Sequence, residues 1–157
     1  MCIRDRIHTR TLLNIAKQLA VSERLTILPP VFEIEDYYQY ADVVVTLAPR
    51  EPFGRTVVEA IACGVPVVGS NSGGIGEILN DFAPQWTVDP NNPLAVAQNI
   101  IFQVGDPSTS FLLSQGQKWI DSYCSPIKYA QKMIEIVNLN FLRTSQKKTI
   151  SALATER

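Results

Sequence analysis

The sequence has little of what marks disulfide-bonded, metal-binding or membrane-spanning proteins. Its three cysteines, Cys2, Cys63 and Cys124, form an odd set without metal-type spacing, and His8 is its single histidine. These residues therefore predict neither a disulfide framework nor a metal site. No apolar run approaches the roughly 20 residues that a membrane-spanning helix needs. No G-x-G-x-x-G follows a predicted strand, which argues against a nicotinamide dinucleotide cofactor.

An excess of charge of one sign is also missing. The chain has 14 basic and 15 acidic residues and a formal net charge of −1, which gives no reason to expect nucleic acid as a partner. The charged amino-terminal end does not resemble a secretory signal peptide. The use of cysteine fits a reducing compartment, so we expect a cytoplasmic protein.

What is present suffices for one domain. A chain of 157 residues that is 46% hydrophobic can build a full core. Residues 1–6, MCIRDR, fit no helix or strand pattern and are interpreted as an artefactual leader. Residues 144–157 are interpreted as a loose polar tail because they contain few large apolar groups. The predicted domain is therefore residues 7–143.

The stretch over residues 51–74, EPFGRTVVEAIACGVPVVGSNSGG, organises the rest of the chain. An apolar run that ends at Leu47 predicts a buried strand before it. Within it we expect a helix over residues 55–63, a second buried strand over 65–68 and a small-residue loop over 69–74. A strand–helix–strand unit of this kind is a parallel crossover. Its loops lie at the carboxyl ends of the strands, where open parallel sheets bind ligands.

Two carboxylates bracket the first loop of this unit. Glu51 precedes the loop, and Glu59 lies one turn into the predicted helix. The amides of residues 53–57 suit a phosphate, since the first N–H groups of a helix lack internal partners and carry positive partial charge. Carboxylate oxygens accept hydrogen bonds from hydroxyls, so the pattern predicts a phosphorylated, polyhydroxylated ligand. Arg55 and Glu59 are also spaced for a surface ion pair.

The same residues carry a resemblance to a known family. The sequence E-P-F-G-R-T-V-V-E-A, followed by A-x-G-x-P-V-V-x-x-x-x-G-G-x-x-E, resembles the signature of the family-four retaining glycosyltransferases. The resemblance covers residues 12–137 and only the carboxyl-terminal, donor-binding domain of the GT-B fold. It implies an α/β fold, with a doubly wound, Rossmann-like parallel sheet and helices on both faces. Pro52 departs from the pattern because many relatives have glycine there, and proline removes an amide donor.

The resemblance implies a role for each matching residue. Glu51 would contact the transferred sugar as the catalytic-site carboxylate, and Glu59 would hold the ribose hydroxyls. The loop at Pro30 and Val31 would hold the nucleotide base through its backbone. The amides that would hold the sugar and diphosphate belong to one run: Phe53, Gly54, Arg55, Thr56 and Val57. No metal and no cofactor is implied.

The implied reaction is transfer of a sugar, as by a hexosyltransferase, from a nucleoside diphosphate sugar to a hydroxyl acceptor with retained configuration. The family's acceptor domain, and an upstream Arg and Lys that contact the diphosphate, have no match here. We therefore expect this chain alone to fold but to transfer nothing, and any peripheral membrane association to depend on that other domain. Two further interpretations remain open, a nucleotide-sugar epimerase on the same fold and a non-catalytic module that binds a nucleotide sugar or a partner.

The remaining elements follow from apolar spacing. Tyr37, Tyr38 and Tyr40 are interpreted as residues that pack against the sheet. Strands are predicted over residues 25–28 and 86–88, and helices over 9–21, 33–40, 75–79, 94–104, 106–120 and 127–142.

Overall fold

The computed structural model describes residues 6–136, which form two compact units divided between Tyr37 and Tyr38. The first unit contains helix α1 (Arg6–Gln18), a 3-10 turn (Ser22–Arg24) and the start of α2 (Ile34–Gln39). Helix α1 begins at Arg6, the last residue of the stretch interpreted as a leader, and the rest of that leader lies outside the described residues.

The strand predicted over residues 25–28 is wrong. Residues 25–33 have no helix or strand, although the short apolar run and the two prolines that follow it are typical of a strand end. A strand exists only through ladder hydrogen bonds with a neighbour, and within the described residues no strand pairs with this segment. An apolar run shows the tendency to be extended, but it does not supply the partner.

The second unit, described over residues 38–136, contains a parallel three-stranded sheet in the order β1-β2-β3. Val45 of β1 lies opposite Val68 of β2, and Gly69 of β2 lies opposite Thr87 of β3. The strands are β1 (Val44–Thr46), β2 (Val67–Ser70) and β3 (Thr87–Val88). The helices are α3 (Arg55–Ala62), α4 (Gly73–Phe82), α5 (Pro93–Gly105), α6 (Thr109–Tyr123) and α7, described over residues 126–136. Parallel strands joined by helices confirm the predicted α/β class.

Helices cover both faces of this sheet. Val68 packs with Val96 of α5, whereas a Cβ on its neighbour Gly69 would meet Ile75 and Leu79 of α4. Successive residues of a strand point to opposite faces, so α4 and α5 lie on opposite sides. All four residues of β2 are buried, as expected for a central parallel strand. The doubly wound arrangement is therefore confirmed.

Helix α3 forms where its apolar spacing predicts. Val57, Ala60 and Ile61 are fully buried on one face, and Gly64 follows the helix with a φ of +78°, the conformation typical of a glycine after a helix end. Helix α6 packs outside α3 and α4, where Gly116 provides the space, because a Cβ there would lie within 2.9 Å of both Phe82 and Ile61.

The carboxyl-terminal helix begins one residue before its predicted start. Its described part, residues 126–136, is exposed throughout and therefore does not cover the sheet of this unit. The predicted end of this helix at residue 142, the domain limit at 143 and the tail over 144–157 all lie outside the described residues.

Candidate functional site

The loops that follow β1 and β2 are joined to each other by hydrogen bonds. The amide of Gly74 donates to the carbonyl of Glu51 at 2.8 Å, and the hydroxyl of Ser72 donates to the carbonyl of Pro49 at 3.1 Å. The two loops were predicted separately from their small residues. The structure brings them together at the carboxyl ends of neighbouring strands, as the topology requires.

Two glycines make this contact possible. A Cβ on Gly74 would lie 2.4 Å from the carbonyl oxygen of Phe53, and one on Gly73 would lie 2.8 Å from that of Glu51. Gly73 also has a φ of +62°, which side chains other than glycine rarely allow. The loop predicted over residues 69–74 is wrong at both ends, because β2 extends through Ser70 and α4 begins at Gly73. At the end where α4 begins, the reason is that Gly73 and Gly74 contact the backbone of the first loop and do not form a turn.

The amino terminus of α3 presents free backbone donors. Gly54 is the N-cap residue in the left-handed conformation, with a φ of +94°. Within the described part of the chain, the amides of Arg55 and Thr56 donate to no acceptor, whereas the amide of Val57 donates to the carbonyl of Gly54 at 2.9 Å. Free N–H groups at a helix start attract an anion. The geometry therefore leaves the first two amides of α3 available for a phosphate.

The side chain of Glu51 turns back onto its own loop. Its Oε1 accepts a hydrogen bond from the amide of Gly54 at 3.3 Å, a long and weak contact. The carbonyl of the same residue is held by Gly74, so the backbone of Glu51 is anchored more firmly than its carboxylate. This carboxylate can exchange the Gly54 amide for a hydroxyl of a ligand at little cost.

Glu59 is held by donors from two elements. The hydroxyl of Tyr38 donates to Oε2 at 3.2 Å, and the Arg55 guanidinium donates to Oε1 at 2.9 Å. The ion pair anticipated from the i,i+4 spacing is present, with side-chain exposures of 82% for Arg55 and 35% for Glu59. Exposed pairs of this kind contribute little to stability, so the ion pair alone does not account for the arrangement.

The three tyrosines near α2 differ in environment. Tyr38 is buried, as interpreted, whereas Tyr37 is 44% and Tyr40 is 91% exposed. The interpretation that all three pack against the sheet is therefore wrong for Tyr37 and Tyr40. Sequence reasoning missed the hydrogen bond from Tyr38 to Glu59, because the two residues are 21 positions apart and no local pattern connects them.

The structure brings most predicted site residues together. Glu51, the amides of residues 53–57 and Glu59 surround the start of α3, and the side chain of Phe53 is half exposed. Pro30 and Val31 belong to the first unit. Their predicted contact with a base stays a prediction, as do the ligand contacts of the other residues.

A cavity of about 650 Å³ borders the loop between β1 and α3. Pro52 and Phe53 border it, together with α4 and the end of α6. Its aromatic wall is built by Trp119, which stacks on Tyr123 with ring centroids 5.0 Å apart and donates from Nε1 to Asp81 at 2.7 Å. Sequence analysis missed this wall, since Trp119 and Asp81 are 38 residues apart. Glu51, Arg55 and Glu59 do not line the cavity.

The described residues include a thiol and a carboxyl group whose pKa values are shifted. Partial burial raises the pKa of the Cys124 thiol, and the hydroxyl and amide of Ser108 lower the pKa of the exposed Asp106 carboxyl. No group of three or more histidines, cysteines or carboxylates within residues 6–136 is placed to hold a metal ion. No described helix is long and apolar enough to cross a membrane.

A doubly wound parallel α/β unit defines a Rossmann-like domain, and this one carries a glycine-bearing loop and free helix amides at the carboxyl ends of its strands. Residues 8–133 match the family described as glycosyl transferases group 1. The chain belongs to this family, as its resemblance implied.

Individual relatives agree with this assignment. The chain is 34% identical over 111 residues to a D-inositol 3-phosphate glycosyltransferase of Xylanimonas cellulosilytica, covering 69% of this chain and 27% of the relative. It is 42% identical over 81 residues to the enzyme of that name from Mycolicibacterium smegmatis, covering 50% and 19%. It is 29% identical over 91 residues to an N-acetyl-alpha-D-glucosaminyl L-malate synthase of Bacillus anthracis, covering 58% and 24%. The matched region thus spans about a quarter or less of each of these relatives.

Proposed function

We propose that this chain is the donor-binding part of a glycosyltransferase, which transfers a sugar from a nucleoside diphosphate sugar to a hydroxyl acceptor with retained configuration. The observation that carries the proposal is the grouping of Glu51, Glu59 and the free amides of Arg55 and Thr56 around one helix start. Anion-binding amides between two hydroxyl-binding carboxylates match the chemistry of a sugar diphosphate.

Each group has a distinct task in this proposal. The amides of α3 and its helix dipole stabilise the diphosphate, whose negative charge increases as it leaves. Glu51 orients the transferred sugar, and Glu59 accepts from the ribose hydroxyls. The rate then depends on positioning and on electrostatic stabilisation. The proposal includes neither a metal nor another cofactor. It also places the reaction in the cytoplasm.

The acceptor is outside this proposal. Two relatives are named for D-inositol 3-phosphate and a third for L-malate, so relatives with similar donor-binding parts carry different acceptor names. Acceptor choice is expected to depend on the portion of these relatives that this chain does not match.

The proposal is tested by substituting each glutamate with glutamine and measuring binding of UDP, GDP, ADP and their glucose conjugates by calorimetry. Loss of a charge-assisted hydrogen bond costs about 1.5–3 kcal/mol, or roughly 10- to 150-fold in affinity. We expect Glu59→Gln to weaken the nucleoside diphosphate and its sugar conjugate alike. Glu51→Gln should weaken the conjugate more, because only the conjugate carries the sugar.

Glu135→Gln is the matched control. Glu135 forms an exposed i,i+3 ion pair with Lys132 at 3.2 Å, so this variant also loses a surface ion pair, but on α7. If Glu59 served only as an ion-pair partner, Glu59→Gln would behave like Glu135→Gln, with less than about 1 kcal/mol of lost stability and unchanged binding. That result, or the absence of binding to all six compounds, would reject the donor site. Incubation of the whole gene product with each conjugate then separates transfer from epimerisation or binding alone.

A further inference from the structure

The orientation of the Glu59 carboxylate depends on a residue from another helix. Tyr38 of α2 is 8% exposed, and its hydroxyl donates to Oε2 of Glu59. Arg55 donates to Oε1 of the same carboxylate from the solvent side. One donor on each oxygen restrains the rotation of the carboxylate about its last side-chain bond.

The two donors are not equivalent. Arg55 is exposed to water along most of its side chain, so a water molecule or a phosphate can replace Glu59 as its partner at little cost. Tyr38 is buried and loses little further conformational freedom when it holds Glu59. The constant restraint on Glu59 is therefore the hydroxyl of Tyr38.

This restraint leaves accepting capacity for a ligand. A carboxylate offers about four lone-pair sites, and Tyr38 and Arg55 occupy one on each oxygen. One free site then remains on each oxygen, which is the arrangement that a pair of neighbouring hydroxyls requires. We propose that Tyr38 is a positioning residue, which orients Glu59 for the two ribose hydroxyls of the nucleotide without contacting the nucleotide itself. The inference depends on the proposed function of Glu59.

The test measures ribose recognition as a ratio. UDP, GDP or ADP, whichever binds most tightly, is compared with its 2′,3′-dideoxy form by calorimetry on the whole gene product. Both dissociation constants come from one protein preparation, so a loss of folded protein cancels in their ratio. We expect the wild-type protein to prefer the ribose form by about 10- to 150-fold. In Tyr38→Phe this preference should fall by a smaller factor, about 3- to 10-fold, because Glu59 keeps its charge and loses only the hydrogen bond that orients it.

Tyr40→Phe is the matched control. It removes the same hydroxyl two residues away, at a position that is 91% exposed, and should keep the wild-type ratio. Binding of the dideoxy form should be equal in all three proteins, which a general weakening of the fold would not produce.

The outcomes distinguish a failure of the positioning role of Tyr38 from a failure of the proposed function of Glu59. If Glu59→Gln abolishes the ribose preference and Tyr38→Phe does not change it, the positioning role is refuted and the donor site stands. If the wild-type protein binds both forms equally, the ribose role of Glu59 fails and the inference fails with it.

Discussion

The substitution of Gly74 by alanine tests the contact between the two loops most directly. Gly74 is buried in the first turn of α4, and a Cβ there would lie 2.4 Å from the carbonyl oxygen of Phe53 and 2.7 Å from its Cα. Ordinary van der Waals contact begins at 3.4 Å. The backbone of Phe53 must therefore move away by the difference between these distances, and the loop that carries Glu51 must move with it.

The cost can be worked from three contributions. Overpacking of this size costs about 1–3 kcal/mol. Weakening the 2.8 Å hydrogen bond from Gly74 to Glu51 costs about 0.5–1.5 kcal/mol more. Alanine recovers up to about 1 kcal/mol as the better helix former. We expect Gly74→Ala to lower the free energy of unfolding by about 0.5–4.5 kcal/mol.

Urea denaturation measures this change, and Gly105→Ala is the matched control. Gly105 ends α5, and a Cβ there would meet nothing within 4 Å. This control should be neutral or stabilising by up to about 1 kcal/mol. The displaced loop should also weaken nucleoside diphosphate binding in Gly74→Ala. Equal stability and equal binding in the two variants would show that the glycine does not hold the loops together.

Two further predictions concern the thiol and the metal. With Cys2 and Cys63 replaced by serine, Cys124 should react with iodoacetamide at pH 8 more slowly than a free cysteine. Burial raises the pKa of its thiol and so lowers the fraction present as thiolate. A rate equal to that of a free cysteine would contradict this prediction. Nucleoside diphosphate titrations with and without a chelator should superimpose, because the proposed site contains no metal. A loss of affinity above about tenfold (1.4 kcal/mol) on chelation would refute that prediction.

The features that the sequence could predict are those encoded by neighbouring residues. Three such features depend on spacings of a few residues: the start of α3 after Gly54, its end before Gly64, and the placement of Glu51 and Glu59 on either side of the helix start. Helical and strand periodicity determines such features directly.

The features that could not be predicted depend on partners distant in sequence. The hydroxyl of Tyr38 reaches Glu59 across 21 residues, and the indole of Trp119 reaches Asp81 across 38. The role of Gly74 is visible only once Phe53 is beside it. The strand predicted over residues 25–28 fails for the same reason, because ladder pairing is a property of two segments and not of one.

The hydrogen bond from Gly74 to Glu51 has a consequence for protein engineering. The peptide group that carries Glu51 belongs to one crossover, and the amide that holds it belongs to the next. A chimera that imports residues 48–54 from a relative would place a foreign backbone against the native start of α4. We expect such a graft to adopt the native loop conformation only when residues 71–76 are exchanged with it. The smallest transferable part of this site is therefore a pair of loops from adjacent βα units.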